Sequence, residues 1–143
     1  MKKLHLGCGD RHIPGFINVD IRSEVNPDVH SGIAAYLFVT EPDCIELIYM
    51  CHVLEHYKKK QSETILKECY RVLKPGGILR LSVPDFSKIS YYYSKDDSNV
   101  DILSGLTLGG HKNEYDVHYQ LFDWEKLETM LINAGFGRCY EWD

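Results

Sequence analysis

No stretch of the chain approaches 18 consecutive apolar residues, so nothing in it reads as a membrane-spanning helix. Met1-Lys2-Lys3 has the charge of a secretory leader, but the apolar residues behind it break at Gly7 and Asp10, far short of an h-region. A basic stripe is also lacking. The formal charge is −5, and apart from Lys58-Lys59-Lys60 the cations are scattered, which argues against nucleic acid as a partner. The cysteines at 8, 44, 51, 69 and 139 are odd in number and form no C-x-x-C pair. Neither a disulfide framework nor a zinc knuckle is indicated, and they read as reduced, mostly buried thiols of a cytoplasmic protein. There is no internal repeat or low-complexity tract, and 143 residues suit a single domain, 1–143, that buries roughly two-thirds of its unfolded surface.

What is present is concentrated at the beginning. Leu4 and Leu6 form a short apolar run that enters the turn Gly7-Cys8-Gly9, and a second run, Phe16-Ile17-Asn18-Val19, ends in Asp20. Two glycines let a backbone approach a ligand closely with N–H groups toward an anion, and an acid at the tip of a neighbouring parallel strand can accept both hydroxyls of a ribose. The dinucleotide fingerprint asks for a third glycine and an acid about 20 residues on. Here His12 stands at the third position and Asp20 comes early, so a nicotinamide or flavin site is not read.

Leu4-His5-Leu6-Gly7-Cys8-Gly9, Val19-Asp20 and Arg71-Val72-Leu73-Lys74-Pro75-Gly76-Gly77 resemble the class I S-adenosylmethionine-dependent methyltransferases. The likeness runs from Leu4 to about Phe136. It is nearest to a small bacterial branch of type 11 methyltransferase-like proteins that carry a His-Val-Leu-Glu-His segment and are associated with cell-surface polysaccharide genes. The resemblance implies an α/β, Rossmann-like, open and mostly parallel sheet with helices on both faces. It implies S-adenosylmethionine as cofactor and a small-molecule acceptor, a saccharide or polysaccharide precursor being the family association. Leu6, Gly7, Cys8 and Gly9 would admit the methionyl part, with backbone amides facing its carboxylate, and Asp20 would hold the ribose. Ile21 and Ser31 would edge the adenine, with Asp28 an alternative to Ser31, and Met50, Cys51 and His52 would close the methionyl side. Self-association as a homodimer is left open.

Between Gly9 and Phe16 lie only six residues, including Pro14 and Gly15, too few for a crossover helix, so one irregular turn is expected there. Pro27 to His30 reads as a third short strand, and Ile33 to Phe38 as a covering helix. Ile45 to Cys51 has the near-continuous apolar character of a central parallel strand. From Gln61 to Leu73 apolar residues recur at helical spacing, Pro75-Gly76-Gly77 turns the chain, and Ile78 to Val83 is the next strand. Residues 86–116 read as an irregular insertion containing Tyr91-Tyr92-Tyr93 and a solvated acidic patch at Asp96-Asp97. Asp123 is an N-cap and Gly135 the stop of a last helix, with a final strand starting at Phe136. Only the first of the family's last two strands has room, so the alternatives are an incomplete sheet, a partner-completed edge or a shortened chain.

His52-Val53-Leu54-Glu55-His56 also matches H-x-x-E-H, the zinc pattern of certain peptidases, in which both histidines lie on one helix. Its place directly after an apolar strand speaks against a zinc hydrolase, and no metal ligand is assigned. Glu55 and His56 read more simply as capping the turn after the strand. His118, in an aromatic-rich stretch after the insertion, is the candidate to take a proton from an acceptor, with Asp116 or Asp85 beside it and His52 as a second candidate. Transfer itself is an in-line displacement at the sulfonium methyl, in which the protein chiefly positions reactants and excludes water. The remaining alternative is a non-catalytic protein that keeps the fold.

Overall fold

The computed structural model describes residues 2–95 and 100–141, so the Asp96-Asp97 patch and Trp142 lie outside the described residues. Strands β1 (Lys3–Leu6), β2 (Ile17–Asp20), β3 (Val29–His30), β4 (Ile45–Cys51) and β5 (Leu73–Ser82) form one sheet in the order β3-β2-β1-β4-β5. Every pairing is parallel. Five helices accompany them among the described residues: α1 (Ile33–Val39), α2 (Lys59–Val72), α3 (Phe86–Lys95), α4 (Val100–Leu108) and α5 (Trp124–Ala134).

Strand alternation decides what the sheet buries. Leu4 and Leu6 of β1 and Ile48 and Met50 of β4 pair laterally in register and are all within 1% of full burial. They share one core with Ile33 and Leu37 of α1, Ile65, Leu66 and Cys69 of α2, and Met130 and Leu131 of α5. Each large apolar side chain there contributes about 1.5–3 kcal/mol of transfer free energy. The alternate residues Leu47, Tyr49 and Cys51 are half-buried.

The first two strands are adjacent and parallel although no helix joins them. Asn18 makes this short connection workable. Its Oδ1 accepts from Ile13 N at 2.9 Å and lies 3.1 Å from His5 Nδ1, while its N and Nδ2 each reach Asp28 Oδ2 at 2.8 Å. One buried amide thus ties β1, the turn and the approach to β3 together.

Strand β5 starts directly after α2 and contains an interruption. Its pairing jumps from Ile45↔Leu73 to Leu47↔Ile78, leaving Lys74-Pro75-Gly76-Gly77 looped out, as the glycines and the missing proline N–H require. The segment expected to be irregular over 86–116 instead holds α3 and α4. Tyr91, Tyr92 and Tyr93 lie exposed on α3, which buries no side chain. At α5 the Asp123 carboxylate accepts from Lys126 N at 2.8 Å, and Gly135, with φ +116°, ends the helix. The expected strand at Phe136 does not form over 136–141. Phe136 closes the helix turn instead, donating to Leu131 O at 3.1 Å and stacking edge-on against Tyr70. No helix among the described residues is long and apolar enough to cross a membrane. All five cysteines are free, but only Cys8 and Cys69 are buried, fewer than expected.

Candidate functional site

The carboxyl ends of β1, β2 and β4 meet at the glycine turn. Gly7 and Gly9 take φ +67° and +52°, a region costly to residues with a Cβ. Asp20 is 5% exposed at the tip of β2, and its Oδ2 accepts from Gly9 N at 2.8 Å. Its Oδ1 accepts from Arg22 N at 2.9 Å and from Arg22 Nε at 3.3 Å. A carboxylate this buried is stabilised by charge-assisted bonds of this kind. The turn amides, however, do not face outward. Gly7 N and Cys8 N donate to Val19 O at 2.8 and 3.1 Å, so with Gly9 N all three have internal acceptors. The glycines therefore contribute space and shape rather than free donors.

The other rim residues divide between wall and edge. Leu6, Cys8 and Met50 are buried beneath the turn, while Ile21 is 43% exposed beside Asp20. Ser31 N bonds Asp20 O at 2.9 Å, which brings Ser31 to the β2–β3 edge with Ile21. Asp28 spends one oxygen on both Asn18 donors; these bonds, backbone first, lower its pKa and commit it to the strand. Cys51 ends β4, its sulfur accepting from Ser82 Oγ at 3.0 Å.

Beyond Cys51 the chain turns sharply. His52 has φ +54°, and Leu54–His56 makes a single 3-10 turn, so His52 and His56 do not share a helix face as a zinc peptidase requires. His52 Nδ1 stands 3.1 Å from Glu55 Oε1, a contact that raises the His52 pKa against its burial. Glu55 is 1% exposed.

Residues 117–120 return from α4 and run along this turn. Tyr119 N donates to Glu55 O at 2.8 Å, His56 Nδ1 lies 3.1 Å from Val117 O, and Gln120 Nε2 reaches Tyr57 O and Ser62 Oγ at 2.7 and 2.8 Å. His118 is thereby set edge-on to His56, ring centroids 4.7 Å apart. Burial, with His56 adding to it, lowers its pKa. Asp116 and Asp85 are already engaged. For Asp116, burial pushes the pKa up, but the amides of Lys112 and Gly110 more than offset this and hold the carboxyl below its usual value. Asp85 caps α3 through Ser87 N at 2.8 Å. Sequence reasoning had singled out His52 and His118 but not the organising roles of Asn18, Arg22 and Gln120; a buried polar residue inside an apolar run, as at Asn18, was the available signal.

Residues 19–81 match a family described as a methyltransferase domain. Solved structures agree. A SAM-dependent methyltransferase structure from Methanosarcina mazei superposes with a TM-score of 0.65 at 18% identity, over 97% of this chain and 81% of that one. One from Archaeoglobus fulgidus gives 0.64 at 18%, over 94% of this chain and 60% of that one. This is the class I methyltransferase fold. The 1,6-didemethyltoxoflavin-N1-methyltransferase of Burkholderia thailandensis, solved with 1,6-didemethyltoxoflavin and S-adenosylhomocysteine, shares it with a TM-score of 0.62 at 14% identity, over 92% of this chain and 58% of that one. No curated protein matches the chain significantly in sequence. Three structural relatives of this kind are covered over only 46 to 64% of their own length. The family match starts at Val19, after the glycine turn, which in this chain is joined to β2 without a helix.

Proposed function

We propose that this domain binds S-adenosylmethionine and transfers its methyl group to a small-molecule acceptor in the cytoplasm. The observation that carries the reading is Asp20, a buried carboxylate fixed to Gly9 at the crevice where β1 and β2 end in a methyltransferase fold. Leu6, Gly7, Cys8, Gly9, Met50, Cys51 and His52 would enclose the methionyl side, Asp20 the ribose, and Ile21 and Ser31 the adenine. His118, in the segment docked on the turn after β4, faces the acceptor side in this reading. A saccharide is the acceptor class that the sequence resemblance favours.

Calorimetric titration with S-adenosylhomocysteine tests the pocket. Asp20→Asn keeps an acceptor for Gly9 N but loses the charge, and should cost about 1.5–3 kcal/mol for each charge-assisted bond to the ribose. Unchanged affinity would remove Asp20 from the site. A second reading, a binding protein without turnover, draws on one observation: the turn amides, Asp85 and Asp116 are all engaged within the chain. Formation of S-adenosylhomocysteine with any acceptor rejects it.

A further inference from the structure

We infer that Glu55, His56 and His118 form a binding site for a first-row divalent transition cation. The three side chains come from the turn after β4 and from the segment that docks on it, and each offers a ligand atom within 4.8 Å of the others. The hydrogen bonds determine which atoms these are. His56 Nδ1 meets Val117 O and His118 Nδ1 meets Leu106 O, each at 3.1 Å. A carbonyl can only accept, so both Nδ1 atoms carry the proton and both Nε2 atoms present a lone pair. A ring N–H anchored on a backbone carbonyl is the usual outer support of a metal-bound histidine.

Glu55 supplies the independent observation. Its side chain is 1% exposed, Oε1 is engaged by His52, and Oε2 is buried with no hydrogen-bond partner. An unpaired buried carboxylate oxygen is costly, and a cation beside it removes that cost. A side-chain adjustment of about 1 Å brings three such atoms to the spacing of a polyhedron with bonds of about 2.0–2.2 Å. Two imidazoles and one carboxylate select Zn²⁺, Fe²⁺, Co²⁺ or Mn²⁺ over Ca²⁺ and Mg²⁺, which prefer all-oxygen shells. The set differs from the one suggested by H-x-x-E-H, because His52 turns away to support Glu55 and His118 takes its place. Three protein ligands leave coordination positions open, where the ion would act as a Lewis acid on a bound hydroxyl. That last role rests on the methyl-transfer reading; the site itself does not.

The test is titration of chelator-treated full-length protein with Zn²⁺ against a chromophoric competitor, and with Co²⁺ followed by its visible absorption. The expected result is about one equivalent bound at roughly micromolar affinity or tighter, without the intense thiolate band that cysteine ligation would give, and with His118→Ala and Glu55→Gln each weakening it at least ~10-fold. Should Glu55→Gln fail to fold, half-buried His118 carries the test, its variant's fold verified by thermal melting. No stoichiometric binding, a thiolate band, or binding unchanged in His118→Ala would overturn the inference. S-adenosylhomocysteine titration of the same preparations keeps this outcome separate from the fate of the cofactor reading.

Discussion

A methyl group of Val53 stands where a side chain on Gly7 would begin. A Cβ built on Gly7 falls 2.6 Å from Val53 Cγ2, and the residue already sits at φ +67°. The turn after β4 therefore closes directly onto the turn after β1. Gly7→Ala should destabilise the fold through two separable costs, about 1–2 kcal/mol for a left-handed alanine and about 1–3 kcal/mol for overpacking against Val53. Denaturant midpoints of a double-mutant cycle separate them, since Gly7→Ala should cost at least ~1 kcal/mol less in a Val53→Ala background. Equal costs in both backgrounds would assign all the strain to the backbone.

Arg22 competes for the carboxylate that the ribose would use. Its Nε is 3.3 Å from Asp20 Oδ1, and its guanidinium lies beside Gly9, 3.2 Å from a Cβ built there. The backbone bond from Arg22 N to the same oxygen survives truncation. Arg22→Ala should thus tighten S-adenosylhomocysteine binding by about 1 kcal/mol, roughly fivefold, while costing under about 1 kcal/mol of stability for a partly exposed pair. Weaker binding in the variant would mean that the guanidinium contacts the ligand itself.

The parts of this fold that were legible in the sequence are those set by local periodicity or local chemistry. The apolar run of β4, the amphipathic spacing of α2, the Asp123 cap and the Gly135 stop all depend on neighbours close in the chain. The short first connection was legible as too short for a helix, but not the reason it holds, because Asn18 satisfies partners as distant as His5 and Asp28. Likewise H-x-x-E-H was visible as a motif, yet the partner that matters for it, His118, arrives from a distant segment, docked by bonds such as that between His56 Nδ1 and Val117 O, 61 residues apart in the chain. The missing strand at Phe136 has the same origin. A residue of high β-propensity is used as the hydrophobic closure of a helix turn against Tyr70.

Thiol reactivity should rank the cysteines by burial. Cys69 is fully buried in the α2 core, and desolvation pushes its pKa up to about 12, so it carries almost no thiolate near neutrality. Cys8 and Cys139 are raised for the same reason, burial first. Alkylation of the native protein followed by peptide mapping should leave Cys69 unmodified until denaturant is added. Labelling of Cys69 at the rate of Cys44 would show that the α2 core opens readily.

His5 should make the fold acid-sensitive before its carboxylates titrate. The ring is 4% exposed, bonded to Asn18 and tilted against Tyr49 at 5.2 Å between centroids. Burial, reinforced by nearby His12, lowers its pKa below 6.5, although the Asn18 bond and the Asp20 charge oppose the shift. With the folded value depressed, the unfolded chain binds the extra proton first as acid is added. The stabilisation from His5 is therefore complete above pH 6.5 and is lost as pH falls from there through the folded value. His5→Gln retains a donor for Asn18 but has no such proton. The stability advantage of the native sequence over this variant, read from urea midpoints at pH values on either side of 6.5, should shrink on acidification. Parallel profiles for the two proteins would show that the ring accepts its proton in place, and that the Asn18 network tolerates a cation between the first two strands.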